Sequence, residues 1–215
     1  MRVLKLGVAF DFDGVLYDTY WFMPSLLAEL ATALRLPPEI LQHLEDIAEY
    51  LGAWDRRRAY SVFNLPPLIH DVIWVSRVAL GRPTGVVDLL WKLRGLGVKL
   101  YIVCGADATR DEKMRRVEAY GVNMLVDRVV VYEPGGLRDA LKNLVEDEHL
   151  DKLIYVDDKP GNTCIASSVE RVESIRFAYR PPYPRGYAWS GYSCGERVAT
   201  PEELLQAILD LIARR

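Results

Sequence analysis

The sequence predicts an α/β fold, a doubly wound parallel sheet interrupted once by a block of helices. Three observations carry that reading. Short β-rich apolar runs alternate with helical patterns at the spacing of β-α-β units. The alternation fails in one stretch, residues 21–80, which holds helical patterns only. Acidic or small polar residues follow directly on three of the apolar runs, where an open parallel sheet exposes its ligand-binding edge.

The first strand is expected over residues 3–10, apolar apart from Lys5 and ending at Asp11. Residues 96–103, 128–132, 152–156 and 173–179 read as strands in the same way. Helices are expected between and after them, over 86–93, 110–120, 137–145 and 202–213. Thr109 and Glu112 form a capping box for the second of these, and Gly121 is its stop. Thr200, Pro201 and Glu203 announce the last as N-cap, first-turn proline and N3 acid. Within 21–80 the helical segments are 26–34, 38–51, 55–63 and 68–80, divided by Pro37-Pro38, Gly52 and Pro66-Pro67. They predict a small helical lid over 19–81, inserted into a core formed by 1–18 and 82–215. Residues 180–195 form a loop rich in proline, glycine and aromatic residues.

Half of the 215 residues are apolar, enough for a sizeable core. The 27 basic and 30 acidic side chains nearly cancel, which argues against a nucleic-acid surface. No apolar run reaches the ~18 residues needed to span a bilayer, so no membrane partner is expected. Lys5 inside a strand pattern is unlike a signal peptide, and a cytoplasmic protein is expected. The excess of Arg over Lys and the frequent Tyr and Trp suit a thermophilic source. Cys104, Cys164 and Cys194 are odd in number and widely spaced, with no CxxC pair, which argues against a zinc site and against a disulfide framework.

Three strand ends deliver polar groups to one rim: Asp11 and Asp13; Cys104, Gly105 and Asp107; and Asp157 and Asp158. A lone DxD also reads as a turn or helix cap, but here two such acidic pairs each follow a strongly apolar run. The carboxylates of Asp11, Asp13, Asp157 and Asp158 repel one another unless neutralised. A hard divalent cation, Mg²⁺ above all, neutralises them and keeps positions for water and phosphate. Asp11 beside it can attack phosphorus and carry the phosphoryl group. Asp13 can protonate the leaving oxygen and later activate water. Gly14 lets the chain turn sharply and bring main-chain N–H groups near the phosphate oxygens.

The segment VAFDFDGVLYDT resembles the first motif of the haloacid dehalogenase superfamily, and LIYVDDKPGN resembles its fourth. The helical insert is similar to that superfamily's type-1 cap. The resemblance covers nearly the whole chain in order and spacing. It implies a Rossmann-like core under a mobile cap, and Mg²⁺-dependent hydrolysis of a small phosphorylated substrate through an aspartyl phosphate. It implies Asp11 as nucleophile and metal ligand, and Asp13 as general acid/base that also gives its main-chain carbonyl to the metal. Asp157 is then a ligand, and Asp158 ligates or holds a bound water.

Two positions depart from the pattern. The second motif normally ends its strand with Ser or Thr holding a phosphate oxygen, whereas Cys104 stands here. A thiol is a poor donor, which leaves more of that contact to Gly105 N–H. The usual Lys-Pro of the third motif reads Glu133-Pro134, leaving Lys142 or Arg138 as the phosphate-binding cation. Alternatives follow: a binding protein that kept the fold with weak or no activity, or a phosphomutase with the same acid pair. Asp13 argues against a dehalogenase. Cys104 to Arg110 satisfies the C-x5-R spacing of a thiolate phosphatase. No His precedes Cys104, however, and Asp107 would oppose the anion. Arg56, Arg57 and Arg58 read as an exposed helix face; His43, His70 and His149 fit no ligand spacing.

Overall fold

The computed structural model describes residues 4–51, 56–179 and 186–214. In chain order the first elements are β1 (Leu6–Phe10), β2 (Tyr17–Asp18), α1 (Met23–Ala33), α2 (Pro38–Leu51), α3 (Arg56–Val62), α4 (Leu68–Leu80) and β3 (Arg82–Pro83). There follow α5 (Val86–Gly95), β4 (Lys99–Gly105), α6 (Arg110–Ala119), β5 (Arg128–Tyr132), α7 (Leu137–Asp147) and β6 (Lys152–Asp157). The chain continues with α8 (Pro160–Ser167), β7 (Val172–Phe177), β8 (Glu196–Val198) and α9 (Pro201–Ala213).

Six strands form one sheet in the order β5-β4-β1-β6-β7-β8, with every neighbouring pair parallel. Residues 7–10 of β1 are all buried because helices cover both faces. Val8 and Phe10 pack in one cluster with Leu90 of α5 and Ile208 of α9. Ala9 belongs to the opposite cluster, with Leu141 and Leu144 of α7. Each such large apolar side chain fully buried stabilises the fold by roughly 1.5–3 kcal/mol.

The helical insert has a cluster of its own, in which Leu27 of α1, Leu41 and Leu44 of α2, Tyr60 of α3 and Ile73 of α4 meet. Its two ends are drawn together by β2 and β3, which pair antiparallel, Tyr17 with Pro83 and Asp18 with Arg82. The helix start signals act fully at α9, whereas at α6 only half of the expected Thr109/Glu112 capping box forms. Thr200 and Glu203 form the full capping box of α9, and Thr109 Oγ1 accepts from Glu112 N–H at 3.1 Å. The Glu112 carboxylate turns to the insert, where it meets Arg57 at 2.7 Å.

Several features depart from expectation. The sheet gains β8, whose three residues are too short for a periodic signal, and α8 begins at Pro160-Gly161, a dipeptide that resembles a turn. Cys164 and Cys194 form a disulfide, with Cα atoms 4.7 Å apart. This corrects the expectation of no disulfide: β7 lies beside α8, and Cys194 sits against Ser174 of β7, so a separation of 30 residues hides a spatial neighbour. Residue 3, Asp55 and residues 180–185 of the late loop lie outside the described residues. No helix among the described residues is long and apolar enough to cross a membrane.

Candidate active site

The strand order reverses at β1, with β4 on one side and β6 on the other. Loops leaving such neighbours in opposite directions open a crevice at the carboxyl ends of the strands. Asp11 follows β1, Asp157 ends β6 and Asp158 comes next. All three are buried, and they offer carboxylate oxygens that lie within 4.8 Å of one another. Asp11 lines a cavity of about 590 Å³, together with Asp13, Gly105, Lys113 and Lys159.

Burial, then the charges of Asp157 and Asp158, push the Asp11 carboxyl well above its ordinary range, with Lys113 acting against them. Asp157 is also raised by burial, although it is well held. Its Oδ2 accepts from Tyr155 Oη at 2.6 Å and Asn162 Nδ2 at 2.9 Å, and its Oδ1 accepts from Lys159 N–H at 2.8 Å. Asp158 Oδ2 accepts from Trp189 Nε1 at 2.5 Å. Three buried carboxylates converging at this distance, all hard oxygen donors, fit a divalent cation of the Mg²⁺ class.

Asp13 is placed differently: its carboxylate stands outside the cluster of Asp11, Asp157 and Asp158. Arg116 Nη1 and Nη2 donate to its Oδ1 and Oδ2 at 2.5 and 2.6 Å, Thr19 Oγ1 donates to Oδ1 at 2.5 Å, and Lys113 Nζ pairs with Oδ2. Burial opposes ionisation, but Arg116 and Lys113 outweigh it and hold the carboxyl well below the ordinary range. The Asp13 carboxyl is thus held ionised by its cationic partners. The same two cations hold Asp107, which Arg116 meets at 2.7 and 2.9 Å and Lys113 at 3.2 Å.

The other expected residues divide. Gly105 lines the cavity. Cys104 does not; its side chain is wholly buried beside Phe10 and Ile102. Burial pushes its thiol far up, and Arg110 is exposed, so the C-x5-R reading fails. Gly14 makes the sharp turn, at φ +79°, and its own N–H is taken up by Tyr17 O at 2.7 Å. Lys142 and Arg138 lie on the exposed face of α7, because the apolar side of that helix packs on the sheet.

Lys113, Arg116 and Lys159 bring the positive charge that the sequence reading sought on α7. Lys113 and Arg116 sit at i and i+3 of α6, one face of one turn. Lys159 directly follows Asp157-Asp158, and its Nζ meets Glu49 of α2 at 2.7 Å. Glu49 also accepts from Arg77 of α4 at 2.9 Å, so the insert reaches the rim of the site.

No family model matches the sequence, and no curated protein does. Solved structures match throughout. One from Thermotoga maritima, described as a candidate β-phosphoglucomutase, covers 97% of this chain and 100% of its own at TM-score 0.69 and 16% identity. The L-2-haloacid dehalogenase of Xanthobacter autotrophicus covers 96% and 99% at TM-score 0.67 and 15% identity. A HAD family hydrolase of Deinococcus radiodurans, with bound phosphate and sodium, covers 95% and 95% at TM-score 0.65 and 17% identity. The chain has the haloacid dehalogenase-like fold. On that haloacid dehalogenase-like frame it carries both aspartate pairs of the motifs it resembles, and it recruits its cations from α6 and from the residue after Asp158.

Proposed function

We propose that the chain is a Mg²⁺-dependent phosphohydrolase acting on a small phosphate monoester, with residues 19–81 as a cap over the site. One observation carries this reading: Asp11, Asp157 and Asp158 converge, buried, at the strand-order reversal, with Asp11 open to the cavity. Phosphate and sodium bound in the Deinococcus radiodurans hydrolase, which shares the fold, support the ligand class.

Asp11, Asp157 and Asp158 would hold the ion, which supplies charge neutralisation for the attacking carboxylate and the phosphoryl oxygens. Asp11 attacks phosphorus and carries the phosphoryl group as the phosphorus–oxygen bond to the leaving group breaks; with Asp13 ionised, the leaving oxygen takes its proton from solvent water. Asp13 accepts the proton of the water that hydrolyses the aspartyl phosphate, a role that suits its ionised state. To donate to the leaving oxygen in the first half it must first slip the grip of Arg116. Lys113 and Lys159, which both line the cavity, attract the phosphoryl oxygens. The test is hydrolysis of a generic aryl phosphate with Mg²⁺ by purified protein. The reading expects activity that vanishes with EDTA and in Asp11→Asn, and activity surviving both would refute it.

The clamp on Asp13 favours a second reading, in which the chain binds a phosphorylated ligand without turnover. Phosphate binding with no hydrolysis across a broad substrate panel would select it.

A further inference from the structure

Residues 186–195 form a strap that crosses from the helical insert to the sheet beside Asp158. At one end Gly186 lies so close to α2 that a Cβ there would meet Asp46 Oδ1 at 2.2 Å. At the other, Cys194 is bonded to Cys164 of α8, and its carbonyl accepts from Ser174 Oγ of β7 at 3.2 Å. Trp189 is fixed between these anchors. Its carbonyl accepts from Arg176 Nη2 at 2.5 Å, its ring lies edge-on to Tyr20 at 5.0 Å, and its Nε1 donates to Asp158 Oδ2 at 2.5 Å. Ala188, Ser190 and Tyr192 of the same strap line the cavity.

We propose that Trp189 is a positioning residue for Asp158, and that the Cys164–Cys194 disulfide holds the strap carrying it, so that divalent-cation affinity depends on that disulfide. The proposal rests on the reading of Asp11, Asp157 and Asp158 as metal ligands. An N–H donated to one oxygen of a ligand carboxylate sets its rotation, and so the direction in which it meets the ion. The strap's one regular turn is Tyr187–Trp189, so the anchors at its ends decide where the indole points. The disulfide is the covalent one, and it narrows the conformations open to the segment. A dithiol reductant opens it: the S–S bond breaks, thiols form on Cys164 and Cys194, and the reagent closes to its own disulfide.

The test is Mn²⁺ binding followed by EPR on four samples: the oxidised protein, the dithiol-reduced protein, Cys164→Ser/Cys194→Ser, and Trp189→Phe. Phenylalanine keeps a ring against Tyr20 and removes the donor to Asp158. The expected result is tight binding by the oxidised protein and roughly tenfold or weaker affinity in the other three, with melting curves showing each still folded. Reducing Trp189→Phe should then weaken binding little further, because the disulfide acts through the indole; a merely structural staple would not show that dependence. Should the Phe variant not fold, the reduced wild-type protein carries the test. Equal Mn²⁺ affinity in the oxidised, reduced and Trp189→Phe proteins would overturn the proposal and leave the metal site standing. No Mn²⁺ binding by the oxidised wild type would overturn both.

Discussion

Arg116 and Asp13, 103 positions apart in the chain, meet in the interior as a bidentate pair, with each carboxylate oxygen receiving its own guanidinium N–H. Arg116 is wholly buried and also holds Asp107. Two acids and two bases thus balance beneath the cavity. Taking one partner away strands the others in a medium that solvates charge poorly.

Arg116→Met is therefore expected to destabilise the protein by about 3–5 kcal/mol, the usual cost of breaking a buried ion pair. Urea unfolding at neutral pH measures it. Arg116→Lys keeps the charge but not the fork, and should fall between Met and the wild type. A loss below ~1 kcal/mol in the Met variant would show that the clamp is not structural.

Lys113 and Lys159 line the cavity, whereas Lys142 faces outward on α7. Steady-state hydrolysis of an aryl phosphate should therefore fall about 10²–10³-fold in kcat for Lys113→Ala, as when a preorganised charge-stabilising group is removed. Lys142→Ala should stay near wild type. A Lys142→Ala variant as damaged as Lys113→Ala would return the phosphate-binding role to α7.

Asp127 lends itself to a pH test away from the site. Its Oδ2 accepts from Leu100 N–H and its Oδ1 from Lys99 Nζ, both at 2.8 Å. Burial raises its carboxyl, but these donors outweigh it and hold the carboxyl below its ordinary value. A depressed folded pKa means stability that is fully present above the unfolded value of about 3.9. That stability is lost as pH falls through the lower folded value. Asp127→Asn should thus cost about 1 kcal/mol at pH 7. The gap between variant and wild type in thermal melts should shrink as pH drops below about 4, and a gap that widens there would contradict the assignment.

Gly195 joins the strap to β8 at φ +77°, and an added Cβ would meet Ser174 O at 2.0 Å. The clash is with main chain, which cannot swing away. Gly195→Ala is expected to destabilise by about 1–3 kcal/mol in chemical unfolding. An unchanged midpoint would mean that the strap yields more easily than its anchors suggest.

The central strands were legible because buried parallel strands read as unbroken apolar runs, and β1, β4 and β6 each end in the polar residues that mark the rim. The convergence of Asp11, Asp157 and Asp158 at one rim was legible for the same reason. The inward face of α6 was not legible. Lys113 and Arg116 have the spacing of a solvated helix face, and periodicity cannot tell charges turned to water from charges turned to a buried Asp13. The ion pairing of Asp13 with Arg116 and Lys113 is hidden for that reason. Cys104 reads as a site residue because it stands near the end of a strand, but strand alternation turns its side chain into the core with Ile102. The Cys164–Cys194 bond depends on the path of β7, a three-dimensional fact with no local signature.

The central claim is that Asp11 carries the phosphoryl group. The most direct measurement is peptide mass spectrometry of the protein quenched in acid during turnover of an aryl phosphate with Mg²⁺. The account predicts phosphate on the peptide containing Asp11, absent in Asp11→Asn and absent when EDTA is added before substrate. Turnover with phosphate on another residue, or with no phosphorylated peptide at any time, would contradict it.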